Sequence, residues 1–404
     1  MKMEDKLNEL AMVALDHVTD PINDYSLLGG YLGEIYFLYQ YSRIDSTYEE
    51  KADMALDKLL GTISIKDGYF VTTYCNGFAG LGIALHLLED DGFIEGAGEL
   101  LDDVDKLLAI GLTRDFTQKN YDFLHGAVGV GFYFIKHYTY APEVSKTQLE
   151  RIVDFLEETS MVDEATGLLK WEDIGKNFDT GEMETKFNIS LSHGMSSISI
   201  FLARLLQLNL LDEAMNVRIK AILEKAIDYI LAQRIDFQTY GSYFPSCSIE
   251  SDKVLHCSRL GWCYGDLGVA VALWQAGNVL GRQDCTDLSR EVLLYSGNKR
   301  RDLKLNFVFD AGLCHGAAGI AQIFYRMSKE MELPELFDAY EYWKSVTLDM
   351  GYHEEGWGGY MMYNAKENSW TNTANVLEGT SGIGLMLMSP VYADWDEILL
   401  LSFK

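Results

Sequence analysis

Apolar runs of helical length recur along the chain, and each begins just after a short glycine-rich phrase. Leu81-Gly-Ile-Ala-Leu-His-Leu-Leu88 and Ile320-Ala-Gln-Ile-Phe-Tyr-Arg-Met327 are two of them. Their apolar residues fall on most faces, which predicts helices buried on several sides. The segments between follow another pattern. Met215, Ile219, Ile222, Ala226 and Ile230 are spaced along one helix face, while Arg218, Lys220, Glu224 and Asp228 fall elsewhere. This predicts an amphipathic outer helix.

The phrases are Leu28-Gly-Gly-Tyr-Leu-Gly33, Cys75-Asn-Gly-Phe-Ala-Gly80, Leu124-His-Gly-Ala-Val-Gly129, Ser192-His-Gly-Met-Ser-Ser197, Tyr264-Gly-Asp-Leu-Gly268, Cys314-His-Gly-Ala-Ala-Gly319 and Glu378-Gly-Thr-Ser-Gly382. Each reads Gly-x-x-Gly, except that Ser197 replaces the second glycine of the fourth. The first glycines (30, 77, 126, 194, 265, 316 and 379) lie 47, 49, 68, 71, 51 and 63 residues apart. A period of that size predicts a repeat architecture. One inner and one outer helix per repeat, seven times, describes an all-α fold, a seven-fold α/α toroid. The inner helices would start at the phrases, with several N-termini at one end of the barrel. Five prolines against 36 glycines suit a helical chain, since proline costs about 3 kcal/mol inside a helix. The whole of 1–404 is expected to be one domain. The longer intervals leave room for insertions near 138–188, with a strand-poor polar part at 161–188, and near 237–257.

Charge narrows the partners. Lys and Arg number 33 against 61 Asp and Glu, a formal net charge of -28. Such a surface repels phosphate backbones and anionic membranes, so neither nucleic acid nor membrane insertion is expected. A basic peptide is permitted, and Glu89-Asp90-Asp91 and Asp102-Asp103 are acidic clusters it could meet. The longest charge-free stretch, Gly68 to Leu88, contains Thr72, Thr73, Asn76 and His86 and reads as a loop entering a buried helix. The opening residues hold no apolar signal core, so the expectation is a cytoplasmic protein with reduced thiols.

Two phrase entrances carry residues that zinc prefers. Cys263 precedes the fifth, and Cys314-His315 lies in the sixth. Two thiolates and one imidazole leave a fourth position open, as at a catalytic zinc; two small buried packing cysteines are the alternative. Asp122, His125, His193, Arg259, Trp262, Tyr264, Asp266 and Glu378 belong to the same end, the last two also suited to capping helices. His256-Cys257 is a competing ligand pair upstream. His17, His86, His137 and His353 read as structural or surface residues, and Trp357 as a loop anchor.

Arg259-Leu-Gly-Trp-Cys-Tyr-Gly265, Cys314-His-Gly316, His193-Gly194, Tyr121-Asp122 and the glycine phrases together resemble the lanthionine synthetase C family, the lantibiotic cyclases, from about Leu28 to Ser389. The resemblance implies one zinc per chain on Cys263, Cys314 and His315. It also implies a reacting centre formed by Asp122, His193, Arg259, Trp262 and Tyr264. The implied reaction is an intramolecular Michael addition. A cysteine thiol of a dehydrated precursor peptide adds to a dehydroalanine or dehydrobutyrine, giving a lanthionine or methyllanthionine thioether. A dehydratase and an exporter are the implied partners, and through such a complex the protein would associate with a membrane. His193 has the chemistry to deliver a proton, with Asp122 to orient or share it; Arg259 and Tyr264 suit an enolate oxygen. Two other readings compete. A helical-barrel glycoside hydrolase would need paired carboxylates, for which Asp122, Asp266 and Glu378 are available. A zinc-containing scaffold would bind modified peptides or glutathione-like thiols without cyclising them.

Overall fold

The computed structural model describes residues 3–19, 24–63, 70–176 and 183–402. Helices dominate, and the first glycine of every phrase is the N-cap of one: Tyr31–Ser42, Phe78–Asp90, Ala127–His137, Met195–Leu208, Asp266–Leu280, Ala317–Glu330 and Thr380–Met388. These helices are buried almost throughout, as their all-round apolar pattern predicts. The run Leu81 to Leu88, for example, is wholly buried. Between them lie longer, one-sided helices. Glu213–Ala232 buries Ile219, Ile222, Ala226 and Ile230, while Arg218 bridges to Asp154 at 2.8 Å on the preceding outer helix, Pro142–Thr159.

The chain divides into two compact units, one of 1–114 with 308–402 and one of 115–307. In the first, the N-terminal helix Met3–Val18 packs on the last inner helix, Thr380–Met388, and on Tyr31–Ser42. The last inner helix thus takes its outer partner from the start of the chain. Asp91 is not free to draw in a peptide. Its carboxylate pairs with Arg43 at 3.0 Å and accepts hydrogen bonds from Gln40 and Tyr392.

The phrases are spaced by sterics. A Cβ on the second glycine would meet the carbonyl oxygen six residues earlier, at 2.0 Å for Gly33, 2.2 Å for Gly80, 1.8 Å for Gly319 and 1.9 Å for Gly382. Only a residue without a side chain lets the helix start so close to the strand of chain that enters it. Ser197 departs from this rule and turns its hydroxyl back to the Gly194 carbonyl at 2.9 Å. Residues two before the first glycine also join neighbouring entrances through the backbone. Cys314 N–H donates to Leu377 at 2.8 Å, Leu377 to Leu28 at 2.9 Å and Leu28 to Cys75 at 3.0 Å. In the other unit Ser192 N–H donates to the Cys263 carbonyl at 3.3 Å. The entrances therefore do not sit on free loops.

The polar stretch at 161–188 is not strand-poor. Met161–Val162 pairs antiparallel with Leu169–Lys170, and Asp173–Lys176 with Met183–Lys186. Strands of two to four residues give no readable alternation, so the sequence hid them. A third pair, Met362–Asn364 with Ser369–Thr371, escaped for the same reason. The stretch near 237–257 is irregular, as expected, with one short helix, Phe237–Tyr240.

Asp266 is fully buried and accepts N–H groups of Tyr243 and Phe244 and a guanidinium N–H of Arg300 at 2.9 Å. Burial pushes its pKa up, opposed by Arg300 and those N–H donors. This places Asp266 in the frame rather than in chemistry. Arg300→Met should destabilise the protein by about 3–5 kcal/mol in a urea titration, because it strands a buried carboxylate. A loss below ~1 kcal/mol would mean that Asp266 takes up a proton at little cost.

Candidate active site and metal centre

His193 and Asp122 lie 71 residues apart in sequence but form one pair, Nδ1 to Oδ2 at 2.7 Å. Each is set by its own entrance. The Asp122 Oδ1 accepts the His125 N–H at 2.8 Å, and the Asp122 N–H donates to Asn120 at 3.3 Å, so the carboxylate is fixed by its own turn. His193 directly precedes the helix N-cap Gly194, and its N–H donates to the Ser190 hydroxyl at 3.2 Å. Burial works against the charged imidazole. The Asp122 hydrogen bond and charge, with a contribution from Cys263, outweigh it and raise the His193 pKa above its ordinary value. An imidazole so held keeps its proton further into neutral pH than a free one.

Other predicted residues surround the pair. The half-buried Tyr264 ring lies 6.0 Å from the His193 ring, and burial pushes its phenol pKa up. His125 stacks on His193 at 6.0 Å from the exposed side. Trp262 is fully buried with its ring 6.5 Å from Phe123, so it packs the floor. Arg259 is half-buried and makes no ion pair among the described residues. Its backbone is pinned by Gly265, where φ is +90° and a Cβ would lie 2.2 Å from the Arg259 carbonyl oxygen. A cavity of about 380 Å³ opens beside His193 and Asp122, with Tyr121, Glu172 and Asp173 in its wall.

Sequence reading missed Lys186. Its ammonium lies 5.2 Å over the Tyr264 ring and lowers the phenol's pKa against the effect of burial. A lysine in a polar stretch carries no signal of that; the strand pairing at 173–186 brings it there.

Ligand atoms of Cys263, Cys314 and His315 all lie within 4.8 Å of one another, a group that could hold a metal ion. Cys263 is buried, and Cys314 and His315 are half-buried. The donor set fits zinc, with two thiolates, an imidazole and room for a fourth ligand. The competing pair is elsewhere: His256 stacks on Tyr240 at 4.8 Å and Cys257 is exposed. Two of the remaining histidines pack within the fold. His137 is buried against Tyr133, and His17 pairs with the buried Glu34 at 2.7 Å. In the Trp357 loop the backbone N–H of Trp357 donates to the Asn372 side-chain oxygen at 2.9 Å, and the ring lies 5.2 Å from that of His17.

Residues 21–400 match the family described as Lanthionine synthetase C-like protein. The chain belongs to that family. Among solved structures, the nisin cyclase is similar over 99% of this chain and 98% of its own, at 19% identity and a TM-score of 0.75. That likeness shows the fold, which is of the all-α, α/α-toroid class expected from the glycine phrases. A GH76 α-mannanase from Bacteroides thetaiotaomicron is matched at 9% identity and a TM-score of 0.46, over 99% of this chain and 97% of its own. Cellobiose 2-epimerase from Bacillus thermoamylovorans gives 11% and 0.43, over 96% and 99%. No curated protein matches the sequence. Among the described residues, no helix of this lanthionine synthetase C-like protein is long and apolar enough to cross a membrane.

Proposed function

We propose that this protein is a lanthipeptide cyclase. It would close thioether rings by adding a cysteine thiol of a dehydrated peptide to a dehydroalanine or dehydrobutyrine of the same peptide. The observation that carries this reading is a Cys₂His donor group on a chain of this family, whose Cys263 also helps raise the pKa of the Asp122-bound His193. Cys263, Cys314 and His315 would hold one zinc, which when bound lowers the pKa of a substrate thiol.

Thiol activation explains only part of the rate. A thiol of pKa ~8.5 is already about 3% thiolate at pH 7, so full ionisation gains roughly 30-fold, or ~2 kcal/mol. The protein's own groups must supply the rest through positioning and enolate stabilisation. In the addition, sulfur bonds to the β-carbon and the alkene electrons move onto the carbonyl oxygen. A proton then goes to the α-carbon as the carbonyl reforms. His193, held protonated by Asp122, is the donor in this reading. Arg259 and Tyr264 stabilise the enolate oxygen. A dehydratase must make the alkene first, so one is the expected upstream partner, and an exporter the downstream one.

Two measurements test this reading. Purified protein should contain one zinc per chain, and stripping it with a chelator should abolish ring formation that added zinc restores. Zinc without ring formation would favour the binding scaffold, and no zinc would return the carboxylates to consideration.

The proton role has its own signature. His193 must be protonated to act, so activity should fall as pH rises through its raised pKa. Asp122→Asn removes the charge that raises it, so the loss should begin at lower pH. By the same linkage, the pair stabilises the fold below the ordinary imidazole value, and that contribution fades as pH climbs through the folded one. An alkaline limb that does not move in Asp122→Asn would take the proton away from His193.

A further inference from the structure

Five rings form a continuous file in the unit that carries Cys314 and His315. Phe309 meets Tyr363 with centroids 5.1 Å apart, and Tyr363 meets Trp370 at 5.1 Å. Trp370 then meets His353 at 4.5 Å, which stacks on Tyr352 at 4.4 Å. The file is not core. Tyr352 is 65% exposed, Phe309 38% and Trp370 37%. Single exposed apolar residues are ordinary on any surface, whereas a run of touching rings marks a place of contact.

Its position is fixed by one carboxylate. Asp310 Oδ2 accepts the Tyr363 N–H at 3.0 Å, and Oδ1 accepts the Gly312 N–H at 3.0 Å. The side chain that braces the aromatic hairpin therefore also braces the backbone two residues before Cys314. The hairpin and that entrance share one brace.

The chemistry of the occupant follows from charge. Exposed Glu354 and Glu355 follow His353, and exposed Glu367 sits in the hairpin turn, opposed by Lys366. Electron-rich ring faces attract cations, and a carboxylate rim adds to that. A second copy of a chain with net charge -28 would bring like charges together. The four ring-to-ring steps span at most about six residues of extended chain at ~3.3 Å each. We propose that this file docks an extended segment of the peptide substrate, one carrying basic and aromatic side chains, on the unit that carries Cys314 and His315. The proposal rests on the cyclase reading and adds where the peptide is held.

The probe is a short fluorescein-labelled peptide containing Lys, Phe and one cysteine, followed by fluorescence anisotropy. Its partner has Glu for every Lys. Trp370→Ser and Tyr352→Ser should each weaken binding of the Lys peptide by roughly 5- to 30-fold, as aromatic anchors do. Val391→Ser, at an exposed apolar position outside the file, should not. The Glu peptide should bind wild type more weakly than the Lys peptide. Circular dichroism checks that each variant is folded. Unchanged affinity in both ring variants would overturn the proposal. So would a shift in their sedimentation with peptide affinity intact, which would assign the file to a second copy. The cyclase reading is tested apart from this, on wild type, with N-acetylcysteine amide and N-acetyldehydroalanine amide, too small to span the rings. Absence of thioether there counts against the cyclase and leaves the anisotropy comparison to judge the file.

Discussion

His193→Ala should keep its zinc and lose cyclisation by roughly 10²–10⁴-fold, the usual contribution of a general acid. The variant separates proton delivery from metal binding. His193 is no member of the Cys263–Cys314–His315 group, so metal content should stay near one per chain. Its ring is bound to Asp122 instead, at 2.7 Å. Single-turnover kinetics are needed, since release of a ringed product can mask the chemical step. A rate within about threefold of wild type would place the α-carbon proton on Asp122 or water. Partial recovery with added imidazole would support the assignment, because a small acid can enter the space that the side chain leaves.

Cys314→Ala is expected to remove the metal and with it ring formation, while leaving the helical signal largely intact. The fold has other supports. The Cys314 N–H bond to Leu377, unaffected by side-chain truncation, keeps the entrance in place. Gly319 still packs on the Leu313 carbonyl. An open catalytic site also differs from a structural zinc, whose loss unfolds its domain. Collapse of the helical signal would recast the ion as a fold element; full zinc retention would move the ligands elsewhere.

The architecture was legible because its rule is local. Four of the inner helices announce themselves by a glycine that packs on a carbonyl six residues back, followed by apolar residues on all faces. Ser197 breaks the phrase without breaking the helix, since its hydroxyl finds the Gly194 carbonyl. The Cys263–Cys314–His315 group was legible for the same reason, as unusual residues at fixed places in repeated phrases. Lys186 was not. Its approach to Tyr264 depends on strands of four residues, too short to leave a periodicity. Nor was the pairing of Met3–Val18 with Thr380–Met388, since contact between the chain's two ends leaves no mark in either segment. The His193–Asp122 bond is an intermediate case. Both residues stood out by position, but their contact across 71 residues required the folded entrances.

The most direct test of the cyclase account uses a dehydrated peptide with one cysteine and one dehydroalanine. Ring closure leaves its mass unchanged, so the free thiol is followed by alkylation and the ring by resistance to fragmentation. With zinc-loaded protein, the alkylatable thiol should disappear far faster than in buffer at pH 7. The ringed product should be one diastereomer, because an enzyme-held proton arrives on one face. Thiol loss at the buffer rate, or a mixture of diastereomers from zinc-loaded protein, would contradict the account.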